Sequence, residues 1–138
     1  MDGTDAIAEK ILRGYRTVAV VGCSRNVGKP SHDVPLYLQE HGYRIIPVNP
    51  NADEILGEKA YARLSDIKER VDVVDVFRPA PEAPAIAEEA FRIGAKALWL
   101  QEGIVSEEAE RIAEGHGMLF VMNRCMMKEH YKLIDRKA

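Results

Sequence analysis

The sequence predicts a doubly wound α/β fold, a three-layer α/β/α sandwich built on a five-stranded, mainly parallel sheet. Three observations carry this expectation. Short, nearly continuous apolar runs, the pattern of strands buried on both faces, recur along the chain. Amphipathic stretches at helical spacing separate them, and glycines close most of those stretches. With 138 residues, 46% of them hydrophobic and 30% charged, the chain has the size and composition of one folded unit around one core.

The elements follow in order. A leading amphipathic segment places Ala6, Ile7, Ile11 and Leu12 on one face after Thr4, a candidate N-cap, and ends near Gly14. Residues 17–22, Thr-Val-Ala-Val-Val-Gly, read as the first strand, and the polar stretch 23–30 as the loop after it. Ser31 opens a helix that carries Val34, Leu36, Tyr37 and Leu38 and stops at Gly42. Pro35 is expected in its first turn, where a missing N–H is harmless. Residues 43–48 form the second strand, in which Pro47 indicates an edge position or a strand end because it lacks a ladder donor. Asn49-Pro50-Asn51 is a turn, the stretch up to Tyr61 reads as irregular, and a short helix follows Ser65. The third strand spans 71–77, and Pro79-Ala80-Pro81 separates it from a helix over 82–93 that ends at Gly94. Residues 95–100 are the fourth strand, 106–114 a helix capped by Ser106, 118–122 the fifth strand, and 126–133 the last helix. Such alternation demands right-handed crossovers, so residues 1–138 read as one Rossmann-like domain with its ligand crevice at the carboxyl ends of the strands.

Composition excludes several classes of function. A net charge of -3 and a pI near 5.8 argue against wrapping a nucleic-acid backbone, whose affinity comes from clustered Lys and Arg, and leave room only for a local anion site. No apolar run approaches the ~20 residues that cross a bilayer, and residues 1–5 lack a signal-peptide pattern, so a cytoplasmic address without membrane partners is expected. Cys23 and Cys125 are far apart and have no His at metal-ligand spacing, which points to reduced thiols rather than a disulfide or zinc site.

The first strand-to-helix loop aims backbone N–H groups and a helix dipole at a common point, a place for an anion, and Arg25 and Lys29 add charged donors there. It is not a Walker A loop, since Cys23 stands where glycine is needed, and it is not a strict Gly-x-Gly-x-x-Gly. A dinucleotide site places an acidic residue after the second strand to hold ribose hydroxyls, and here that position is Asn49, with only Asp53 or Glu54 nearby. NAD(P) therefore ranks behind other phosphorylated adenosine ligands.

The blocks 21–26, 29–31, 42–50, 72–78 and 98–103, in this order, resemble the small CoA-binding protein family, which is similar to the nucleotide-binding domain of the succinyl-CoA synthetase α subunit. The resemblance extends to Asn123-Arg124-Cys125-Met126. It implies coenzyme A with its phosphates at the loop opened by Gly22, near Ser24, Arg25, Asn26 and Lys29. It implies an adenosine part against Asn49 and Pro50 and against Phe77, Arg78 and Pro79, with Gln101 and Glu102 touching the ligand from the fourth-strand loop. The lysine that follows the synthetase's second strand has no counterpart in Asn51-Ala52-Asp53, which transfers that contact to Arg25, Lys29 or Arg78. The synthetase's phosphorylated histidine lies in a further domain without counterpart here, so ligase chemistry is not expected.

Other chemistry-bearing residues have simpler readings. His32 could donate to a phosphate or be merely solvated, and His41, His116 and His130 have no Ser or Cys partner placed by sequence. Cys23, near a helix N-terminus, is either a reactive thiol or a small residue packed in a tight loop, and Cys125 reads as a buried small hydrophobe. Asp72 and Asp75 point to opposite faces of a strand, and a strand-end hydrogen bond or cap accounts for each better than acid–base chemistry. Trp99 reads as core or subunit contact, and Met122, Met126 and Met127 as gap-filling core. The expected function is a non-catalytic module that binds CoA or acyl-CoA, with a homodimer as the expected assembly. The alternatives are an NAD(P)-linked protein or a partner-dependent subunit of a CoA ligase or transferase.

Overall fold

Five buried strands alternate with helices in the computed structural model, which describes residues 3–136. The order is α1 (Gly3–Gly14), β1 (Thr17–Val21), α2 (Pro30–Glu40), β2 (Arg44–Val48), β3 (Glu54–Ile55), β4 (Glu58–Lys59), β5 (Val73–Val76), α3 (Ala83–Arg92), β6 (Ala97–Leu100), α4 (Glu107–Gly115), β7 (Leu119–Val121) and α5 (Met126–His130). The main sheet is parallel throughout, in the order β2-β1-β5-β6-β7. That order reverses direction between β1 and β5, and ligands of doubly wound sheets bind at such a reversal. Among the described residues no helix is long and apolar enough to cross a membrane.

The two faces of the sheet carry different side chains because successive strand residues alternate. Val18, Val20, Ile45, Val73, Trp99 and Val121 pack under α1, α2, α5 and the π-helical turn after α5, through Ile11, Leu12, Val34, Leu38, Met126 and Leu133. The opposite face, with Ala19, Ile46, Val74, Val76, Leu98 and Leu100, lies under α3 and α4, whose contact residues are small: Ala83, Ala87, Ala90, Ala109 and Ala113. Trp99 is core, and its Nε1 donates to the Arg124 carbonyl at 2.8 Å, so its one polar atom is satisfied on the chain itself.

Several local expectations need correction. Thr4 lies inside α1 rather than capping it, whereas Ser106 caps α4 as expected, its Oγ accepting the Ala109 N–H at 3.1 Å. The stretch after Asn51 is a two-stranded antiparallel hairpin rather than irregular chain, turned by Leu56 and Gly57 at φ of 57° and 75°. Two successive positive φ values make a hairpin turn, a conformation that leucine seldom adopts. Leu56 is held in place by its carbonyl, which accepts from Gln39 Nε2 at 3.0 Å. The short helix is a 3-10 turn over Leu64–Asp66, and the last helix passes from α5 into a π-helical turn, Tyr131–Asp135. Pro47 sits on the edge strand, and its carbonyl accepts from Tyr61 on the outer side at 3.0 Å. The proline nitrogen faces the same way and removes no bond from the sheet.

Pro35 falls in the second turn of α2, which begins at Pro30, and not in the first turn as expected. A residue-35 N–H would normally take the carbonyl of Ser31. With proline there, that carbonyl accepts the Ser24 N–H at 3.0 Å instead and ties the β1 loop to the helix.

Candidate functional site

Three strand ends meet at the reversal point. Gly22 N–H donates to Val48 O at 3.0 Å, and Phe77 N–H donates to Val21 O at 2.9 Å. Gly22 has φ of 86°, and a Cβ added to it would lie 2.8 Å from the Phe77 carbonyl oxygen. Only glycine lets the β1 and β5 backbones approach so closely in that conformation.

The loop beyond is shaped by its own side chains. Ser24 Oγ accepts the Asn26 N–H at 3.0 Å, and Asp33 Oδ1 accepts the Gly28 N–H at 3.1 Å. His32 lies against Asp33 at 3.0 Å and, with the Gly28 N–H, holds that carboxyl below its ordinary value. His32 is thereby part of the loop's scaffold and lines neither cavity described below. The amides of Arg25, Val27 and Ser31 make no backbone hydrogen bond among the described residues.

A cleft of about 690 Å³ opens over this point. Of the residues expected there from sequence, Gly22, Ser24, Arg25, Asn26, Lys29, Asn49, Pro50, Phe77 and Arg78 all line it. Arg25 and Lys29 are exposed and have no ion-pair partner among the described residues, so their charge is available to an anion. Arg78 is different: its guanidinium holds Glu82 through contacts of 3.1 and 2.8 Å, which neutralises it locally. Asn49 is engaged on both sides, with Nδ2 donating to Cys23 O at 2.9 Å and Oδ1 accepting from Asn51 N–H at 2.7 Å. It clamps the β1 and β2 loops together and stands where a dinucleotide site would present a carboxylate.

Pro79 does not line the cleft; it caps the 3-10 turn Ala80–Glu82. Gln101 and Glu102 lie in a second cavity of about 330 Å³, which shares Lys29, Ser31 and Phe77 with the cleft and adds Val34, Ile104 and Cys125. Glu102 pairs with Lys128 at 3.0 Å at its surface. Ser31, Asn51, Ala62, Glu82 and Ile86 also line the cleft, beyond the residues that the sequence points to. Glu82 has a sequence signal, because it stands four residues beyond Arg78 with opposite charge; Ala62 and Ile86 carry none of their own.

Beneath the loop the sheet holds a polar chain. Asp75, in register with Val20 and Trp99, is fully buried at mid-strand. Its Oδ1 accepts from Gln101 Nε2 at 2.5 Å, while Gln101 Oε1 accepts the Met126 N–H at 3.3 Å. Oδ2 has no partner among the described residues. A strand-end hydrogen bond therefore fits only Asp72, whose carboxylate accepts the Thr17 N–H at 3.3 Å and pairs with Arg70 at 3.1 Å. Burial pushes the Asp75 carboxyl up to about 7. Cys23 is fully buried, and burial, with Asp75 alongside, pushes its thiol up to about 12, as suits a small residue packed in a tight loop.

A CoA-binding domain family matches residues 16–131 of the chain. The uncharacterized protein YneT of Bacillus subtilis is 39% identical over 122 residues, covering 88% of this chain and 90% of that one. An ADP-forming acetate–CoA ligase II of Archaeoglobus fulgidus is 40% identical over 101 residues, which are 72% of this chain and 15% of the ligase. The solved structure of a hypothetical protein from Pyrococcus horikoshii superposes with a TM-score of 0.90 at 38% identity, covering 94% of this chain and 92% of that one. With the match spanning all five strands of the parallel sheet and the loops that form the cleft, the chain belongs to the CoA-binding domain family.

Proposed function

We propose that the protein binds coenzyme A, or an acyl-CoA, as a non-catalytic module, with the ligand's phosphates on the β1–α2 loop. One observation carries the reading most directly: two cations without ion-pair partners among the described residues, Arg25 and Lys29, stand beside free loop amides over the sheet's reversal point. Such groups suit phosphate oxygens and gain strength from charge-assisted hydrogen bonds. The cleft has the volume of a nucleotide site, and Asn49, Pro50, Phe77 and Arg78 offer its adenosine end a wall. Pro79 acts through the turn it caps. The smaller cavity, with Gln101 and Glu102, continues the cleft for the thiol-bearing arm.

Calorimetric titration of ligand-stripped protein with CoA, dephospho-CoA and NADH at one salt concentration tests this. The expected order is CoA first, weakened by loss of the 3′-phosphate, with NADH weakest because Asn49 replaces the ribose carboxylate. Preference for NADH would overturn it. Replacing Arg25 or Lys29 by Ala should lower CoA affinity about ten- to hundredfold in each case, since a charge-assisted hydrogen bond to phosphate contributes ~1.5–3 kcal/mol. The ligase relatives favour a second reading, a subunit that works with a catalytic partner. CoA bound tightly by the isolated chain, with no acyl transfer in either direction, would count against it. A cytoplasmic homodimer completes the proposal, and light scattering that returns the monomer mass would remove the dimer.

A further inference from the structure

Among the described residues, Asp75 is the one buried carboxylate in which an oxygen without a partner coincides with a position under the candidate ligand loop. Two neighbours place it there. Val20, its register partner on β1, stands three residues before Cys23, a cleft residue, and Gln101, which lines the second cavity, holds its Oδ1. The backbone two residues on is Phe77, which lines both cavities. No charged side chain among the described residues pairs with it. On the helices packed over this face, the ionisable groups are Asp5, Glu9, Lys10 and Arg13 of α1, His32, Asp33, Tyr37 and Glu40 of α2, and Lys128, Glu129 and His130 of α5, with Arg13 paired to Glu9, Asp5 to Arg124 and His32 to Asp33. Glu129 holds Arg124 and Lys132, and His130 holds the Tyr37 hydroxyl.

An ionised carboxylate in such a place repels a polyanion seated on the loop above, and the low-dielectric interior between them screens that repulsion poorly. The repulsion disappears when the carboxyl takes a proton. We propose that Asp75 is the proton-linked group of the cleft: a polyanionic nucleotide binds with uptake of a proton by this carboxyl, and the more negative the ligand, the greater the uptake. This rests on the CoA reading and adds a discriminating residue that touches no ligand. Linkage then requires that affinity fall as pH rises through the range where the free protein loses that proton.

The test is calorimetry of the full chain with CoA and with dephospho-CoA between pH 7 and 9, in pairs of buffers with different ionisation enthalpies. The wild type should take up a fraction of a proton, more for CoA than for dephospho-CoA, and lose affinity about threefold to tenfold across the range. Asp75→Asn should show neither effect beyond the ligand's own titration. Equal uptake by both proteins would overturn the proposal while leaving CoA binding intact. No CoA binding by the wild type would overturn the binding reading and this inference with it. If Asp75→Asn does not fold, the carboxyl carbon of Asp75 followed by NMR in the wild type decides. CoA should move its titration midpoint upward, and an unmoved midpoint refutes the idea.

Discussion

The buried carboxylate also makes a claim about stability that needs no ligand. Asp75 is raised from the ordinary 3.8 to about 7 because burial disfavours its charged form. Between those values the native state holds a proton that the unfolded chain has released. Native protein thus binds more protons there, so stability must fall as pH rises through that window, and the penalty is complete only above about pH 7. A displacement of about three units corresponds to roughly 4 kcal/mol. Asp75→Asn removes the titration but places amide hydrogens where the unpartnered Oδ2 stands, at a cost of about 1–3 kcal/mol for an unsatisfied donor. The variant should therefore be more stable than the wild type by about 1–3 kcal/mol at pH 8 and less stable by about the same amount near pH 4. With a urea m-value of about 2 kcal/mol/M, the difference between the two unfolding midpoints should swing by roughly 2 M across the range. Parallel midpoint profiles would refute the reasoning, since no other group changes between the two proteins.

Other consequences are as direct. Gly22→Ala forces a positive φ on a side chain and drives its Cβ into the Phe77 carbonyl, so urea unfolding should show a loss of about 2–4 kcal/mol, together with weaker CoA binding. Pro35→Ala restores a helical N–H that competes with Ser24 for the Ser31 carbonyl; hydrogen exchange at the Ser24 amide should accelerate while α2 itself becomes more protected. Cys23 should resist alkylation in native protein at pH 8 and react only after unfolding, and rapid native labelling would contradict its burial. His130 is pushed below the ordinary imidazole value, first by burial and then by His41, so the unfolded state takes up more protons as pH drops below about 6.5 and stability should decline there. Replacing His130 by Gln should flatten that acid limb in a thermal melt and leave the Asp75 window untouched.

The strands and most helices are legible in the sequence because each carries its instruction locally. Thr17 to Val21 and Val73 to Val76 are apolar enough to need cover on both faces, and Gly22, Gly42 and Gly94 stand at positive φ where strand or helix must end. The β3–β4 hairpin is not legible, because Leu56 adopts its turn conformation under the hold of Gln39, seventeen residues away in sequence. Pairing over that distance leaves no mark on the turn itself. The same division runs through the site. The charged and glycine positions of the β1–α2 loop announce themselves, while Ala62 and Ile86 become wall residues only because the sheet order brings the β2 and β5 connections together.

Pro35 and Asp75 show the deeper reason, since both break a local rule and are explained by what lies across the fold. A proline in the second turn of a helix looks like a defect until the carbonyl it releases is found holding Ser24 in the loop over the cleft. A carboxylate in the middle of a buried strand looks like a cap until its neighbours prove to be Gln101 and Cys23, one from each cavity. Neither residue can be read from its own segment, because the cost is local and the compensation is not. Each departure lies within one connection of the reversal point, where strand ends, loop and helix start must be held together by bonds between elements. That concentration follows from the topology: β1 turns toward β2 on one side and β5 on the other, so the loop between β1 and α2 has no strand of its own to lean on. Its shape has to be imposed by exceptions in the elements beneath it.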